Sequence, residues 1–251
     1  MNRLRPVSGM VNVALITAGT LFVSQSCLTN AAGGRQPRGH LAAAHTIMAP
    51  DIDGEGWRTL INGDSLDGWV ARNGTATYKV ENNQIVGRSF VGSASSLLCT
   101  SREYADFELT FEILLDQDLN SGIQVRSFSN KELNNGRVCG PQIEIEASTS
   151  RTGGVCETGY IFSEGTGRGW LSQNRIVNDA FVDGQWNRIV IRVVGSRIQT
   201  WVNGRKIEDL LDDSSPRSGF IGLQVHSVPT GTQTLEVRWR DLRIRELPAN
   251  G

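Results

Sequence analysis

The chain has 251 residues, of which 39% are apolar and 20% charged, so it can form a packed core and is not expected to be disordered over most of its length. Its net charge is −1 and its Lys and Arg residues form no dense run, which argues against nucleic acid as a partner. The 28 glycines separate segments rich in Val, Ile, Thr and Trp, a composition typical of short strands joined by turns.

Residues 1–26 have the features of a signal peptide, because two arginines precede an apolar run and small residues follow it. The run is too short and too weakly apolar for a membrane span. One outcome is ordinary cleavage near Ser26 or Ala32. The other is lipoprotein-type processing with a lipid anchor on Cys27, although the residues before Cys27 match that signal poorly. With either type of processing, the sequence predicts an exported bacterial protein that is periplasmic, anchored in the outer membrane or extracellular.

Residues 27–54 are rich in Gly, Ala, Arg and Pro without a sustained period, and this predicts a flexible linker. The folded domain is expected at residues 55–248. His40 and His45 fall in the linker and are poor candidates for chemistry. His226 is the histidine that remains for the folded part.

The folded part shows alternating apolar and polar residues, interrupted by turn pairs such as Asn-Gly roughly every ten residues. The predicted strands cover residues 78–81, 84–87, 95–100, 107–115, 122–126, 142–146, 159–162, 186–194, 197–202, 206–210, 218–225 and 235–247. No segment has the pattern of a helix longer than a turn or two. The sequence therefore predicts an all-β fold, a jelly-roll sandwich of two antiparallel sheets.

Two of these strands, 122–126 and 142–146, have one apolar and one polar face, because successive side chains of a strand point to opposite sides. The polar face is expected to carry two carboxylates, two amides and a guanidinium, from Glu144, Glu146, Gln124, Gln142 and Arg126. Such a face is either a solvated sheet surface or a binding site. The paired acids with an arginine on the neighbouring strand favour a site.

An irregular segment follows at residues 164–178, and a loop of this length inside a compact domain is often functional. Trp170 in this loop either stacks on the apolar face of a sugar ring or fills the core. Because export permits disulfides, we expect Cys139 to pair with Cys156 and Cys99 to be a buried thiol. No CxxC motif occurs, which argues against a zinc cluster.

Several motifs resemble those of the 3-keto-disaccharide hydrolase domain family. Residues 57–69 are similar to its opening F-x-x-L-F-N-G-x-x-L-x-G-W, residues 104–109 to its Y-x-D-F-x-L strand, and residues 120–126 to its N-S-G-I-x-x-R motif. Further similarities lie at residues 184–187, 201–204, 222–226 and 240–244. The resemblance covers about residues 56–247.

The resemblance implies a concanavalin A-like jelly roll with a concave sugar-binding sheet, in exported bacterial proteins that process carbohydrates. This chain departs from the family at the central strand, where Y-E-x-Q-I-x-D is usual. Gln142 stands where the family has Glu, and Glu144 stands where it has Gln. The strand also resembles the E-x-D-x-x-E strand of laminarinase-like jelly rolls, with altered spacing.

The first functional hypothesis is an enzyme that acts on a 3-keto-disaccharide or related glycoside. A 3-keto group acidifies the C2 proton, so a base can remove it, the aglycone leaves from C1, and water adds back. Glu144 or His226 would be the base, Arg126 the enolate stabiliser and Glu146 the acid. The candidate substrate-binding residues are Asn120, Gln124, Gln142 and Trp170. Direct hydrolysis by the two carboxylates is the alternative chemistry.

The second hypothesis is a non-catalytic carbohydrate-binding module of the cell surface, which Gln142 favours, and a third is a structural sandwich. In those cases Arg126 and Glu144 form a plain cross-strand ion pair and His226 only ends a strand. No cofactor is predicted. Oxygen ligands for Ca²⁺ exist at Asp116, Asp118 and Asn120, but their spacing is not that of an EF-hand loop.

Overall fold

The computed structural model describes residues 48–147, 156–176 and 178–248. The predicted signal peptide, Cys27, the first part of the predicted linker, His40 and His45 lie outside the described residues. The described elements are β1 (Arg58–Thr59), β2 (Trp69–Asn73), β3 (Thr77–Glu81), β4 (Gln84–Arg88), β5 (Ser96–Thr100), β6 (Phe107–Leu115), β7 (Asn120–Ser129), α1 (Lys131–Asn134), β8 (Val138–Glu146), β9 (Ile161–Glu164), β10 (Gly169–Trp170), β11 (Asn187–Val194), β12 (Arg197–Val202), β13 (Arg205–Leu211), β14 (Phe220–Val225) and β15 (Glu236–Glu246).

These strands form two antiparallel sheets. An eight-stranded sheet has the order β13-β12-β11-β6-β15-β4-β3, with β1 added beside β15. A seven-stranded sheet has the order β10-β9-β8-β7-β14-β5-β2. Each sheet includes neighbouring strands that are distant in sequence, such as β6 with β15 and β7 with β14, as a jelly-roll sandwich requires. The predicted all-β fold of two antiparallel sheets is confirmed.

The core lies between the two sheets and is built from the apolar halves of the alternating strands. Phe111 and Trp239 from the eight-stranded sheet belong to the same buried cluster as Ile143, Ile145 and Leu223 from the seven-stranded sheet. Each fully buried side chain of this size stabilises the fold by about 1.5–3 kcal/mol. Burial of the isoleucines of β8 toward this core forces their polar neighbours onto the opposite face.

The predicted strands agree with the structure in type, but the central strands β7 and β8 are longer than the predicted 122–126 and 142–146, and the edge strand β2 has no counterpart among the predicted strands. The strand predicted at residues 159–162 begins two residues later, as β9. The two-residue strands β1 and β10 fall in segments whose sequence shows no alternation. Such short strands are defined by the neighbour with which they pair, so sequence periodicity does not reveal them.

The end of the predicted linker is part of the folded domain. The Trp57 indole N–H donates to the carbonyl of Asp51 at 3.0 Å, and Arg243 of β15 donates to the carbonyl of Ile52 at 3.1 Å. These two hydrogen bonds hold the chain segment that precedes β1 against the folded domain. In the described part of the chain, no helix has the length and apolar character needed to cross a membrane.

The predicted disulfide is wrong, because Cys139 and Cys156 are separate buried thiols. Cys139 is near the start of β8, whereas Cys156 lies near Glu146 at its other end, where the Glu157 amide donates to the Glu146 carboxylate. Seven strand residues separate those ends by about 23 Å, far beyond the distance that a disulfide spans. Cys99 is a buried thiol as predicted, and burial raises its pKa to about 12.

Candidate functional site

The strands β8, β7 and β14 are neighbours in the middle of the seven-stranded sheet. Their register places Gly122 between Glu144 on one side and Gln224 on the other. One pair further along, Gln124 lies opposite Gln142. This register therefore gathers three amides and a carboxyl on the sheet face that points away from the core.

The three glutamines form a hydrogen-bonded array that ends on Glu144. The Gln142 Oε1 accepts from Gln124 Nε2 at 2.8 Å and from Gln224 Nε2 at 3.0 Å. With its oxygen fixed by two donors, Gln142 presents Nε2 to Glu144 Oε1 at 2.6 Å. The Ser127 hydroxyl in turn donates to Gln124 Oε1 at 2.5 Å. All these side chains are buried, so the array fixes the position of the Glu144 carboxyl.

Gly122 is required by the array because the Gln142 side chain crosses directly over it. A Cβ at this position would lie 2.7 Å from Gln142 Cδ and 2.9 Å from its Nε2. Any larger residue would push the Gln142 amide out of its place between the other two glutamines. The glycine therefore belongs to the site although it has no side chain.

Glu144 is 7% exposed and lies among acids. Burial raises its pKa to about 8, and the neighbouring carboxyls Glu157, Glu164 and Glu146 act in the same direction, while the hydrogen bond from Gln142 opposes them. At neutral pH the carboxyl therefore holds its proton. Since Gln142 occupies Oε1, the group has its second oxygen available for donation to a ligand.

Glu146 is equally buried and anchors the chain after β8. Its Oε1 accepts from the Glu157 amide at 2.7 Å, and its backbone N–H and carbonyl both bond the Thr158 hydroxyl. Glu146 also lines the cavity above the sheet. One of its oxygens is thus committed to holding the segment that carries Glu157.

A groove of about 500 Å³ lies above the array. We call it the groove, and its lining includes Asp118, Asn120, Arg137, Gln142, Glu144, Glu146, Glu157, Phe162, Glu164, Trp170, Gln224 and His226. Its size is that of a small-molecule site, and its polar lining suits a hydroxyl-rich ligand.

One wall of the groove is aromatic. Phe162 and Trp170 face each other on β9 and β10 with ring centroids 5.3 Å apart and an edge-to-face angle of 76°. The Arg175 guanidinium lies 3.9 Å from the Trp170 ring centroid and covers part of that ring. Trp170 thus lies in the groove wall with its ring fixed, an arrangement that suits stacking on a pyranose.

His226 and Asn120 are adjacent at the rim of the groove. His226 is exposed, and its backbone N–H donates to the Asn120 carbonyl at 3.3 Å. The His226 Nδ1 lies 2.9 Å from the Ser227 carbonyl, which can only accept, so Nδ1 donates there and Nε2 is the ring nitrogen that remains for a ligand. Asn120 Oδ1 is buried without a hydrogen-bond partner in the described part of the chain. Both groups are therefore available to a ligand.

The predicted placement of Arg126 beside the acids is wrong. Its guanidinium is buried at the end of the sandwich, where it donates to the carbonyls of Ala105 and Gly195 and pairs with Asp106 at 2.6 Å. The cause is a bulge in β7, in which Arg126 has a φ of 47° and the register with β8 shifts. Because of the bulge, the Ser127 side chain lies on the sheet face where strict alternation would have placed Arg126.

Gln124 lies beneath the groove and is fully buried. Its amide nitrogen and oxygen both form hydrogen bonds within the array. Gln124 therefore positions Gln142 and does not contact a ligand itself. Gln142 does line the groove, and it contacts Glu144 directly.

Sequence analysis missed several lining residues. Gln224 follows the same alternation as the other glutamines, so strand parity in β14 was a signal that could have revealed it. Glu164 begins the segment that the sequence leaves irregular, and Glu157 lies shortly before it. Neither stretch shows an alternation that would indicate to which face its side chains point. Arg137 reaches the groove from the connection between β7 and β8, and it forms an ion pair with Glu164.

No group of three or more His, Cys, Asp or Glu side chains in the described residues has an arrangement that would hold a metal ion. The Asp116 carboxylate accepts from the Glu236 backbone N–H at 2.8 Å and so holds a turn beside β15. Asp118 lies at the groove edge.

The fold and the groove define a jelly-roll protein with a buried polar site on one sheet. Residues 56–245 match the sequence profile of the 3-keto-α-glucoside-1,2-lyase-like domain. The chain belongs to this family, which confirms the resemblance seen in its motifs and gives the protein a carbohydrate-related role. No curated protein shows a significant match.

Solved structures support the fold. A proposed glycosyl hydrolase from Parabacteroides distasonis superposes with a TM-score of 0.54 at 16% identity, covering 77% of this chain and 94% of that one. A protein of unknown function with a galectin-like fold from Bacillus subtilis gives 0.55 at 10% identity, covering 76% and 94%. A carbohydrate-binding module from Bacillus subtilis gives 0.50 at 16% identity, covering 71% and 96%.

Proposed function

We propose that the groove binds a glycoside oxidised at C3 and cleaves it by elimination and hydration, with Glu144 as the group that supplies the proton to the leaving oxygen. The observation that carries the proposal is a buried carboxyl whose pKa is about 8, oriented by three amides at the floor of a sugar-sized groove. Such a group is an acid near neutral pH. Family membership supports the reaction class.

The reaction begins when His226 Nε2 removes the C2 proton of the 3-keto ring, and the electron pair passes into the enolate. Re-formation of the C3 carbonyl expels the C1 substituent, and Glu144 protonates the departing oxygen. The products are a 1,2-unsaturated 3-keto sugar and a free alcohol. Water then adds hydroxide at C1 and a proton at C2.

The spacing of the strands supports these roles. His226 follows β14 beside Asn120, and Glu144 lies on β8 opposite Gly122, two residues along β7 from Asn120. The proposed base and acid therefore line the groove from opposite sides of β7, and the reacting ring is placed between them above Asn120. With Arg126 elsewhere, Asn120 Nδ2 is the proposed donor to the enolate oxygen, while its buried Oδ1 is placed to accept from a sugar hydroxyl.

A product assay tests the proposal. The purified protein is incubated with 3-keto-maltose, 3-keto-cellobiose and their unoxidised parents, and the products are analysed by mass spectrometry. We expect cleavage of at least one oxidised substrate and of neither parent. Cleavage of the parents would instead indicate direct hydrolysis by two carboxylates, and would overturn the elimination route.

A non-catalytic module is the second candidate, and the similarity in fold to a carbohydrate-binding module favours it. Binding of the oxidised disaccharides without product would support this candidate. The same result would remove Glu144 from a catalytic role.

A further inference from the structure

A second cavity adjoins the groove across the same sheet face. It has about 570 Å³ and lies toward β5 and β2. We call it the side cavity, and it is lined by Asn73, Gly74, Ala94, Ser95, Leu97, Asn135, Arg137, Glu164, Gln224 and Ser227. Arg137, Glu164, Gln224, Ser95 and Ser227 line both cavities, so the two spaces are continuous.

We propose that the side cavity is a binding subsite for the leaving part of the substrate, and that this part is an oligosaccharide and not an aromatic aglycone. The inference rests on the proposed function, because it assigns the reacting ring to the groove. It makes the natural substrate longer than a disaccharide.

Position supports this assignment. Glu164 of β9 pairs with Gly140 of β8, which lies beyond Gln142 on the side away from Glu146. The order along β8 is thus Glu146, which is level with the proposed base on the far side of β7, then Glu144, then the junction of the two cavities. A group that leaves from the ring near Glu144 would extend directly into the side cavity.

The chemistry of the lining supports a sugar. The side cavity presents amides, hydroxyls and one ion pair, and none of its lining residues is aromatic. In the groove, by contrast, Phe162 and Trp170 form an aromatic wall. Gly74, Ala94 and Leu97 supply an apolar part of this lining that the face of a sugar ring can cover, while sugar hydroxyls can pair with the amides and hydroxyls, which an aryl group would leave without hydrogen-bond partners.

A buried acceptor at the junction independently indicates a ligand. Gln224 is 2% exposed, and its Nε2 is committed to Gln142. Its Oε1 is buried with no hydrogen-bond partner in the described part of the chain. Such an oxygen is costly to leave unpaired, and a sugar hydroxyl that spans the two cavities would donate to it.

The connection between β7 and β8 builds the far wall. The Val138 N–H donates to Asn73 Oδ1 at 3.2 Å and ties this connection to the edge strand β2. Val138 also packs with Leu97, Cys99 and Phe220 in a small apolar cluster on this face. The wall is therefore fixed where it enters β8, by a hydrogen bond and by apolar packing of the same residue, so the side cavity is a built feature of the fold.

The test measures kcat/KM for substrates of increasing length, 3-keto-maltose to 3-keto-maltotetraose and the corresponding cellulose-derived series, oxidised at the non-reducing ring. A 3-keto-glucoside of 4-nitrophenol serves as the aromatic comparison. We expect kcat/KM to rise at least tenfold from two to four units in one series. Ala94→Trp, which fills only the side cavity, should abolish the rise and keep disaccharide turnover within twofold.

Ala71→Trp is the matched control, because Ala71 is also exposed and lines neither cavity. This variant should keep the length dependence. Equal kcat/KM at all lengths in both series, or a lower KM for the aryl substrate than for the longest oligosaccharide, would overturn the subsite while leaving the proposed reaction intact.

If no oxidised substrate is cleaved, the proposed reaction fails and calorimetry with the unoxidised series decides the subsite. Tenfold tighter binding of the tetrasaccharide than of the disaccharide, lost in Ala94→Trp, would support the side cavity. Equal affinities, or no binding in either series, would overturn it.

Discussion

Glu144 holds its proton because the fold buries it among other acids while giving it one neutral donor. Gln142 stands directly before it on the same strand face, at the position where the family usually has a glutamate. A second carboxylate there would repel Glu144, whereas the amide donates to it at 2.6 Å. The exchange of Glu and Gln relative to the family thus moves the carboxyl by one strand repeat and retains an acid–amide pair.

Replacement of Glu144 by Gln tests both its chemistry and its burial. We expect turnover to fall at least a hundredfold, because the amide cannot donate a carboxyl proton. Between about pH 4.5 and about pH 8, Glu144 is protonated in the folded protein but ionised in the unfolded chain. The free energy of unfolding of the wild type therefore falls as the pH rises through this window.

Glu144→Gln has no carboxyl to ionise at this position, so its stability should not fall over this pH range. We expect the free energy of unfolding of the variant to exceed that of the wild type by about 4 kcal/mol at pH 8 and by little at pH 4.5. Urea unfolding at the two pH values measures the difference. A pH-independent difference would show that the carboxyl is not buried with its proton.

At the scale of elements, the strand β7 determines what reaches the groove. Its regular first half places Gly122 and Gln124 correctly against β8, and its bulge sends Arg126 to the other sheet. The motif that contains Arg126 therefore serves the architecture of the sandwich, since the guanidinium joins β7 to the residues before β6 and to the turn between β11 and β12.

Gly122→Ala should displace Gln142 and disorganise the amide array. We expect activity to fall at least tenfold, with a modest loss of stability, because the added Cβ has no room beside Gln142. Gly222→Ala on the adjacent strand is the control. Its Cβ would lie 3.2 Å from Cys99 Sγ and 3.3 Å from Gln124 Cβ and Leu97 Cδ2, contacts that small shifts relieve without entering the space of the Gln142 amide, so a small effect on activity is expected. Equal effects of the two changes would contradict a specific role for the array.

Arg126→Met should lower the free energy of unfolding by about 3–5 kcal/mol, because it leaves the Asp106 carboxylate without its buried partner. Arg58→Met, which breaks a more exposed pair with Glu246, should cost less than about 1 kcal/mol. Denaturant titration compares the two variants. For protein that remains folded, kcat should stay within twofold of the wild type. A hundredfold loss of kcat would show that Arg126 takes part in catalysis, contrary to this account.

Strand parity predicted the face of Glu144 and Glu146 correctly because β8 is regular and its isoleucines are drawn to the core. It failed at Arg126, since a bulge depends on the packing of that side chain against another sheet. The expected disulfide failed for a related reason: nearness in sequence placed Cys139 and Cys156 together, and the length of β8 separates them. Glu157 was not predicted because the segment that carries it has no period, and Glu164 was not predicted because β9 extends two residues beyond the strand predicted at 159–162.

At the scale of the molecule, the two outer faces of the sandwich have different electrostatics. The eight-stranded sheet carries paired charges, such as Arg245 with Glu108 and Arg240 with Glu112. Besides the protonated Glu144, the groove on the other sheet holds four acids, Asp118, Glu146, Glu157 and Glu164, against one lining cation, Arg137, which pairs with Glu164. Close acids focus a negative potential into the cavity.

This potential should exclude anionic sugars. We expect a 3-keto-glucuronide to have a kcat/KM at least tenfold below that of the matching glucoside at low ionic strength. Added salt should reduce the difference, since screening weakens the repulsion. Kinetics at two salt concentrations measure it. An equal or higher kcat/KM for the glucuronide would show that the acids do not set the potential that the substrate meets.

The protonation of Glu144 is the property on which the proposed chemistry depends. Infrared difference spectra of the carboxyl band across pH 4 to 10, with Glu144→Gln as the reference, measure it without any substrate. An apparent pKa of about 8 for the band missing from the variant is the predicted result. A titration near the ordinary value of about 4.3 would contradict the account, because the groove would then hold no acid at neutral pH.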